Sequence, residues 1–206
     1  MTQPADVDWE PTEERRELGE ALRRLLDVVV RTGAPPEDMR AAAAAIDEMT
    51  AKLATSTVRA DNSVVAGSYR AHMSLVGGLS HPVAPQLRMD VNGDAGRGDV
   101  VLGPALEGGP GLAHGGVLAL LIDHAMGCVA AGPRRPAMTV RLMMRYRKPT
   151  PLGVPLTVSA RLDRIEGRKL HLSAEIIANG QVTVDAEAIF LTLTRKNLAT
   201  VFSDSV

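Results

Sequence analysis

Aromatic side chains are almost missing from this chain: one Trp, two Tyr and two Phe, 2% of 206 residues. The stacking platforms on which single-strand nucleic-acid binders seat their bases are therefore absent. An excess of one charge is missing too. Lys+Arg number 23 and Asp+Glu 24, a formal net charge of -1, so no overall field draws the chain to nucleic acid or to an anionic membrane. Cys128 is the only cysteine, which excludes an internal disulfide framework and fits a reducing compartment. No apolar run approaches the ~20 residues of a membrane span, and the most apolar stretch is residues 117–122. Residues 1–14 are acidic and polar, without the basic and apolar regions of a signal peptide. These absences set an expectation of a cytoplasmic protein with no nucleic-acid partner and no membrane span.

What remains is ordinary for a globular chain: 45% hydrophobic and 23% charged residues. The length suits one domain with a sizeable core plus an appendage. Leu18, Leu22, Leu25, Leu26 and Val29 recur at helical spacing against a face carrying Glu14, Arg16, Arg23 and Arg24. Gly33-Ala34-Pro35-Pro36 breaks that pattern, and Pro36 suits the first turn of a new helix. Met39, Ala42, Ala43, Ile46, Met49 and Leu53 then form a second apolar stripe. Residues 1–60 thus read as an N-terminal helical hairpin whose stripes must pack on the main domain or on a partner chain. Residues 61–85, punctuated by Gly67, Gly77-Gly78, Pro82 and Pro85, read as a connecting loop that covers a binding site. The main domain is expected over 86–196, and 197–206 reads as a flexible tail.

Within 86–196 the pattern is mostly β. Leu87, Met89 and Val91 alternate with polar residues ahead of an Asn92-Gly93 turn, and a second strand is expected over 98–102. Four more are expected near 138–147, 156–165, 169–178 and 181–194. Gly167 and Asn179-Gly180 mark the hairpins between the last three. Consecutive hairpins imply an antiparallel sheet, and the single helix from 117 to about 131 needs that sheet to wrap it. The fold class is therefore α+β, an antiparallel β-sheet around a central α-helix with an N-terminal helical extension.

That helix, VLALLIDHAMGCVAA, is apolar almost all round and is interrupted by Asp123. An unpaired buried carboxylate costs several kcal/mol, so Asp123 either is a hydrogen-bonded structural acid or serves as general base or nucleophile. Arg141 and Arg145 on the next strand are available to make it a plain ion pair. Ahead of the helix, Gly115-Gly116 leaves backbone N–H groups unshielded at the positive end of the macrodipole, suited to a carbonyl oxygen that turns negative during acyl transfer. The alternative is a tight turn that needs glycine dihedrals. Gly115 and Asp123 stand eight residues apart, about 12 Å along an axis rising ~1.5 Å per residue. One reacting carbon cannot touch both within a single helix. A two-fold dimer with antiparallel helices would bring each Asp123 to the other subunit's glycines.

His114-Gly115-Gly116, six residues, Asp123 and then Gly127 resembles the signature of hotdog-fold acyl-CoA thioesterases of the phenylacetate-pathway (PaaI-like) and thioesterase-superfamily-member type. The stretch from Thr139 through Arg145-Tyr146-Arg147-Lys148-Pro149-Thr150-Pro151-Leu152-Gly153 is similar to that family's Tyr-x-Arg/Lys-Pro-x-Pro-x-Gly strand end. The resemblance covers about residues 84–195 and implies a hotdog fold that hydrolyses acyl-CoA without metal or redox cofactor. It implies Asp123 as base or nucleophile, the Gly115 N–H as donor to the thioester oxygen, and Thr139 as a group that helps hold water. Where some members carry an Asn ahead of the His, this chain has Glu107-Gly108-Gly109.

Neighbouring residues carry plainer alternatives. His114 either protonates the leaving thiolate or orients its loop. His124 sits on another face of the helix and reads as structural, and Cys128 as a small core residue. Gly116 is a further expected substrate contact. Arg134, Arg135, Arg141, Arg145, Arg147, Lys148 and Arg161 fall between Asp123 and Asp163 with no acid among them, a basic surface suited to CoA phosphates. Arg147 and Lys148, at a strand end, are the expected phosphate contacts. Met126, Met138, Met143 and Met144 line an acyl tunnel or fill the core. The expected partners are acyl-CoA and a second copy of the chain, as a homodimer or as dimers paired into a tetramer. The rival readings are a non-catalytic acyl-CoA sensor, a hotdog hydratase or dehydratase, and a partner-binding role for the N-terminal hairpin.

Overall fold

A computed structural model describes residues 12–56, 73–131 and 137–193. Strands form where the chain alternates. β1 (Asp90–Asn92) and β2 (Ala95–Val101) precede a single-turn 3-10 helix, Pro104–Leu106, and the long helix Gly115–Ala131. β3 (Ala137–Tyr146), β4 (Pro155–Glu166), β5 (Lys169–Ala178) and β6 (Gln181–Thr192) complete one antiparallel sheet in the order β1-β2-β4-β5-β6-β3. The β5–β6 hairpin turns on Asn179 and Gly180, both at positive φ, as a tight two-residue turn requires. The expected first strand is the exception. It begins at Asp90, because Leu87 is drawn into the core and its N–H is taken by the Val76 carbonyl.

The two N-terminal helices are α1 (Glu13–Val29) and α2 (Pro36–Ala54), so the Gly115–Ala131 helix is α3. Leu118, Leu121, Ile122, Ala125, Met126, Val129 and Ala130 bury one side of α3 against the sheet. They meet Leu156, Val158, Leu172, Ile176, Val184 and Phe190 from its inner face. Each fully buried aliphatic side chain contributes about 1.5–3 kcal/mol of apolar transfer. This is the hotdog arrangement that the sequence resemblance implies. The opposite side of α3, with Val117, Leu120, Asp123 and Gly127, is only half-buried.

The N-terminal helices form as expected but dock differently. α1 lies against the domain through Gly19, where a Cβ would come within 2.8 Å of the Ser80 carbonyl oxygen. Polar groups four residues apart on one face hold it there. Arg23 donates to the carbonyls of His81 (2.7 Å) and Leu79 (3.1 Å), Asp27 accepts from the Ala105 N–H (2.9 Å), and Arg31 reaches Glu107 (2.9 Å). The expected leucine stripe is only partly covered, with Leu18, Leu26 and Val29 exposed. Every residue of α2 is exposed, so its apolar stripe packs on nothing within the described chain. Of the expected covering loop, 61–72 lies outside the described residues. Residues 73–85 pack around Val76, Ala84 and the foot of α1, with Gly77 against His124 of α3. The expected tail, 197–206, also lies outside the described residues. No described helix is long and apolar enough to cross a membrane.

Candidate active site

β3 is an edge strand paired only with β6, and it carries a bulge at Val140. The bulge decides which side chains meet α3. Side chains alternate along a strand, so Thr139 would face the same way as Arg141, Met143 and Arg145. The extra residue shifts the register, and Thr139 pairs with Phe190 on the inner face alongside Leu142, Met144 and Tyr146. There Thr139 donates its hydroxyl to Asp123 Oδ1 at 2.6 Å. Asp123 makes no ion pair with a described residue. Arg145 is held by Asp185 and Glu187, and Arg141 lines a separate hollow with Asp163 and His171. The plain ion-pair reading of Asp123 on β3 is therefore not what the structure holds. Expected cations Arg134 and Arg135 lie outside the described residues.

At the head of α3 two peptide groups have different fates. The Gly116 N–H donates to His114 Nδ1 at 3.0 Å, and the Gly115 carbonyl accepts from the Tyr146 hydroxyl at 3.0 Å. The peptide linking the two glycines is thus gripped at both ends. His114 and Gly115 are joined by a different peptide, whose Gly115 N–H has no partner among the described residues and points out along the helix dipole. An imidazole that accepts at Nδ1 carries its proton on Nε2 when neutral, so His114 offers an Nε2–H to whatever lies beside it. Tyr146 appeared in the sequence only as part of a strand-end pattern. The signal that picks it out is strand parity counted from Leu142 and Met144.

An open groove of about 600 Å³ begins here, lined by Gly108, His114, Gly115, Tyr146, Arg147 and Lys148. The two expected phosphate contacts both border it but differ in charge balance. Arg147 clasps Asp185 through two nitrogens at 2.9 and 3.0 Å, an interaction that raises its pKa further. Lys148 bonds the neutral Gln181 amide, at 2.7 Å, and has no acidic partner among the described residues. A larger hollow of about 720 Å³ lies on the outer sheet face, lined by Arg97, Arg145 and Arg161 against Glu175, Asp185 and Glu187. Size does not make it the reaction site. Its charges largely cancel, and it lacks both a helix terminus and Asp123.

The expected methionine tunnel is not one surface. Met126 is fully buried in the core, Met144 is half-buried on the inner face, and Met138 and Met143 are exposed. Met143 pairs with Glu187 on the outer side, and the bulge turns Met138 to that same side, away from Met144. Cys128 lies 3.6 Å from His124 Nε2, and burial pushes its thiol pKa up, which disfavours the thiolate a nucleophile needs. No cluster of three or more His, Cys, Asp or Glu is placed to hold a metal ion among the described residues.

Burial holds His124 below the ordinary imidazole pKa, against the opposing pull of the Leu87 backbone and the Asp123 charge. The unfolded chain therefore takes up this proton first as pH falls. Stability from the buried neutral ring is full above about pH 6.5 and declines below it. Urea midpoints are expected to drop between about pH 7.5 and 5.5. That drop should be smaller in His124→Gln, and an equal drop in both proteins would remove His124 from the titration.

With this geometry in place, known proteins give the family. A family model described as the thioesterase superfamily matches residues 110–184, spanning α3 and most of the sheet. The crystal structure of a thioesterase superfamily protein superposes with a TM-score of 0.79 at 30% identity, over 88% of this chain and 93% of that one. The chain belongs to the thioesterase superfamily. Two similar curated relatives are the acyl-coenzyme A thioesterases THEM4 of Bos taurus and Xenopus laevis. The first is 40% identical over 86 residues and the second 37% over 93, covering 42% and 44% of this chain. The matches span only 35% and 42% of those relatives' own lengths. The 88% of this chain that superposes on the solved superfamily structure extends well beyond residues 110–184, so that likeness takes in much more than the segment the family model matches.

Proposed function

We propose that this superfamily member hydrolyses an acyl-CoA thioester to the free acid and CoA. The observation that carries the reading is the 2.6 Å hydrogen bond from Thr139 to Asp123 on the half-open side of α3. Thr139 spends its proton on Oδ1, so its oxygen lone pairs and the second carboxylate oxygen are left to hold one water between them. Asp123 takes a proton from that water as its oxygen bonds to the thioester carbon. The carbonyl oxygen becomes negative and is met by the Gly115 N–H. Collapse breaks the carbon–sulfur bond, and the proton that Asp123 took from water passes to the CoA thiolate, while the neutral His114 Nε2–H, beside the groove, is placed to hydrogen-bond the leaving sulfur. Lys148 is the stronger candidate for a CoA phosphate, and Arg147 the weaker, because Asp185 already neutralises it.

Such a site needs two copies of the chain. Within one α3 the donor and the base are about 12 Å apart, too far for a single carbonyl. The free edge of β3 supports a homodimer, since Met138, Val140 and Met143 are exposed beside Thr139, Val140 at 59%. An antiparallel pairing of two α3 helices would cover Asp123 and bring it to the other subunit's Gly115.

A free-thiol release assay over acyl-CoAs of increasing chain length tests the activity, and no release from any of them would leave an acyl-CoA sensor in its place. Thr139→Val, which keeps the shape and removes the hydroxyl, is expected to lower kcat by roughly tenfold to a hundredfold with KM little changed. An unchanged kcat would separate Thr139 from the water.

A further inference from the structure

We propose that Glu107 is a positioning residue for the Gly115 donor, and that Arg31 at the end of α1 acts through it. The kinetic part of this role rests on the hydrolase reading above.

Residues 106–114 form a closed loop that delivers the head of α3. Its base is tied by the His114 N–H to the Leu106 carbonyl at 2.9 Å, and its middle by Gly108 N–H to the Leu112 carbonyl at 2.9 Å. Glu107 pairs with Ala113 across it. His114, the last residue of the loop, directly precedes Gly115 and aims its N–H.

The tip of this loop is held by one oxygen. Glu107 Oε1 accepts the Gly111 N–H at 2.5 Å and the Arg31 Nη2–H at 2.9 Å. These donors favour the ionised carboxyl and hold its pKa below the usual range, the Gly111 bond most of all. One turn earlier on the same face of α1, Asp27 Oδ1 takes the Ala105 N–H at 2.9 Å, just ahead of the loop. Arg23, one turn earlier again, anchors the helix to the Leu79 and His81 carbonyls. An element outside the sheet thus grips the loop at its start and, through Glu107, at its tip.

The Arg31–Glu107 pair is too exposed to matter much for global stability, with side chains 50% and 29% accessible. Its effect is local. Without it the loop gains freedom, and the Gly115 N–H no longer sits where the carbonyl oxygen turns negative. Loss of aim costs rate more than binding.

Four variants of the full chain test this: Glu107→Ala, Glu107→Gln, Arg31→Ala, and Arg31→Ala with Glu107→Ala. Acyl-CoA hydrolysis is expected to show kcat lowered about tenfold in Glu107→Ala and about threefold in Arg31→Ala, with KM shifted less than about twofold. The double variant should match Glu107→Ala alone, because Arg31 acts only through that carboxylate. Glu107→Gln keeps an acceptor for Gly111 and should recover most of the rate. Amide hydrogen exchange should quicken in residues 105–114 of Glu107→Ala and Arg31→Ala while β4 and β5 stay protected. A wild-type kcat in Glu107→Ala overturns the positioning role, as do effects that multiply in the double variant. Exchange that is unchanged throughout 105–114 overturns the brace itself. Should the wild type hydrolyse no acyl-CoA, the hydrolase reading fails, and exchange alone still decides whether α1 braces the loop.

Discussion

Asp123→Asn is expected to lower kcat by roughly a thousandfold while KM for the acyl-CoA changes little. The substitution is chosen for what it leaves in place. Asparagine has nearly the shape of aspartate, and its amide oxygen can still accept the Thr139 hydroxyl that now sits 2.6 Å from the carboxylate. What it removes is the ability to take a proton from water. Because Asp123 is half-buried rather than sealed in the core, the exchange should not open a cavity or unfold the chain. Circular dichroism and urea midpoints close to wild type would establish that the loss is chemical. A variant that folds and still releases thiol at the original rate would remove Asp123 from the reaction.

The residues of that site were readable in the sequence to different depths. Asp123 stood out because a carboxylate in an apolar helix needs a reason, and β4, β5 and β6 followed from alternation and from Asn179-Gly180. Thr139 was reached only through family resemblance. Counting along β3 puts it on the wrong face, and nothing in residues 137–146 announces the bulge that turns it inward. A bulge is set by pairing between strands distant in sequence, so local pattern is blind to it. Arg147 shows the same limit for charge. No acid lies near it in sequence, yet Asp185 of the neighbouring β6 is its partner. α1 fails in a third way. Its leucines promised an apolar contact, whereas Arg23, Asp27 and Arg31 make the hydrogen bonds that dock it. Such bonds depend on which carbonyls and N–H groups the loops present, and that is known only once the loops are folded.

Gly115→Pro is expected to reduce kcat by about a hundredfold to a thousandfold, the cost of losing one oxyanion donor. Proline deletes that N–H with little strain, because Gly115 is the first residue of α3, where proline is well tolerated. The variant then answers a question that neither single substitution reaches: whether donor and base come from the same chain. If each site takes Asp123 from one subunit and Gly115 from the other, a mixed dimer of Asp123→Asn and Gly115→Pro chains concentrates both defects in one site. Its second site is intact. Random pairing of equal amounts makes half the dimers mixed, each with one working site of two, so about a quarter of wild-type activity should return from two nearly inactive preparations. If base and donor act within one chain, every site keeps one defect and mixing restores nothing. The 12 Å between Gly115 and Asp123 along α3 favours the first result. Unfolding and refolding the mixture before assay ensures that subunits exchange, and each variant carried through alone supplies the baseline.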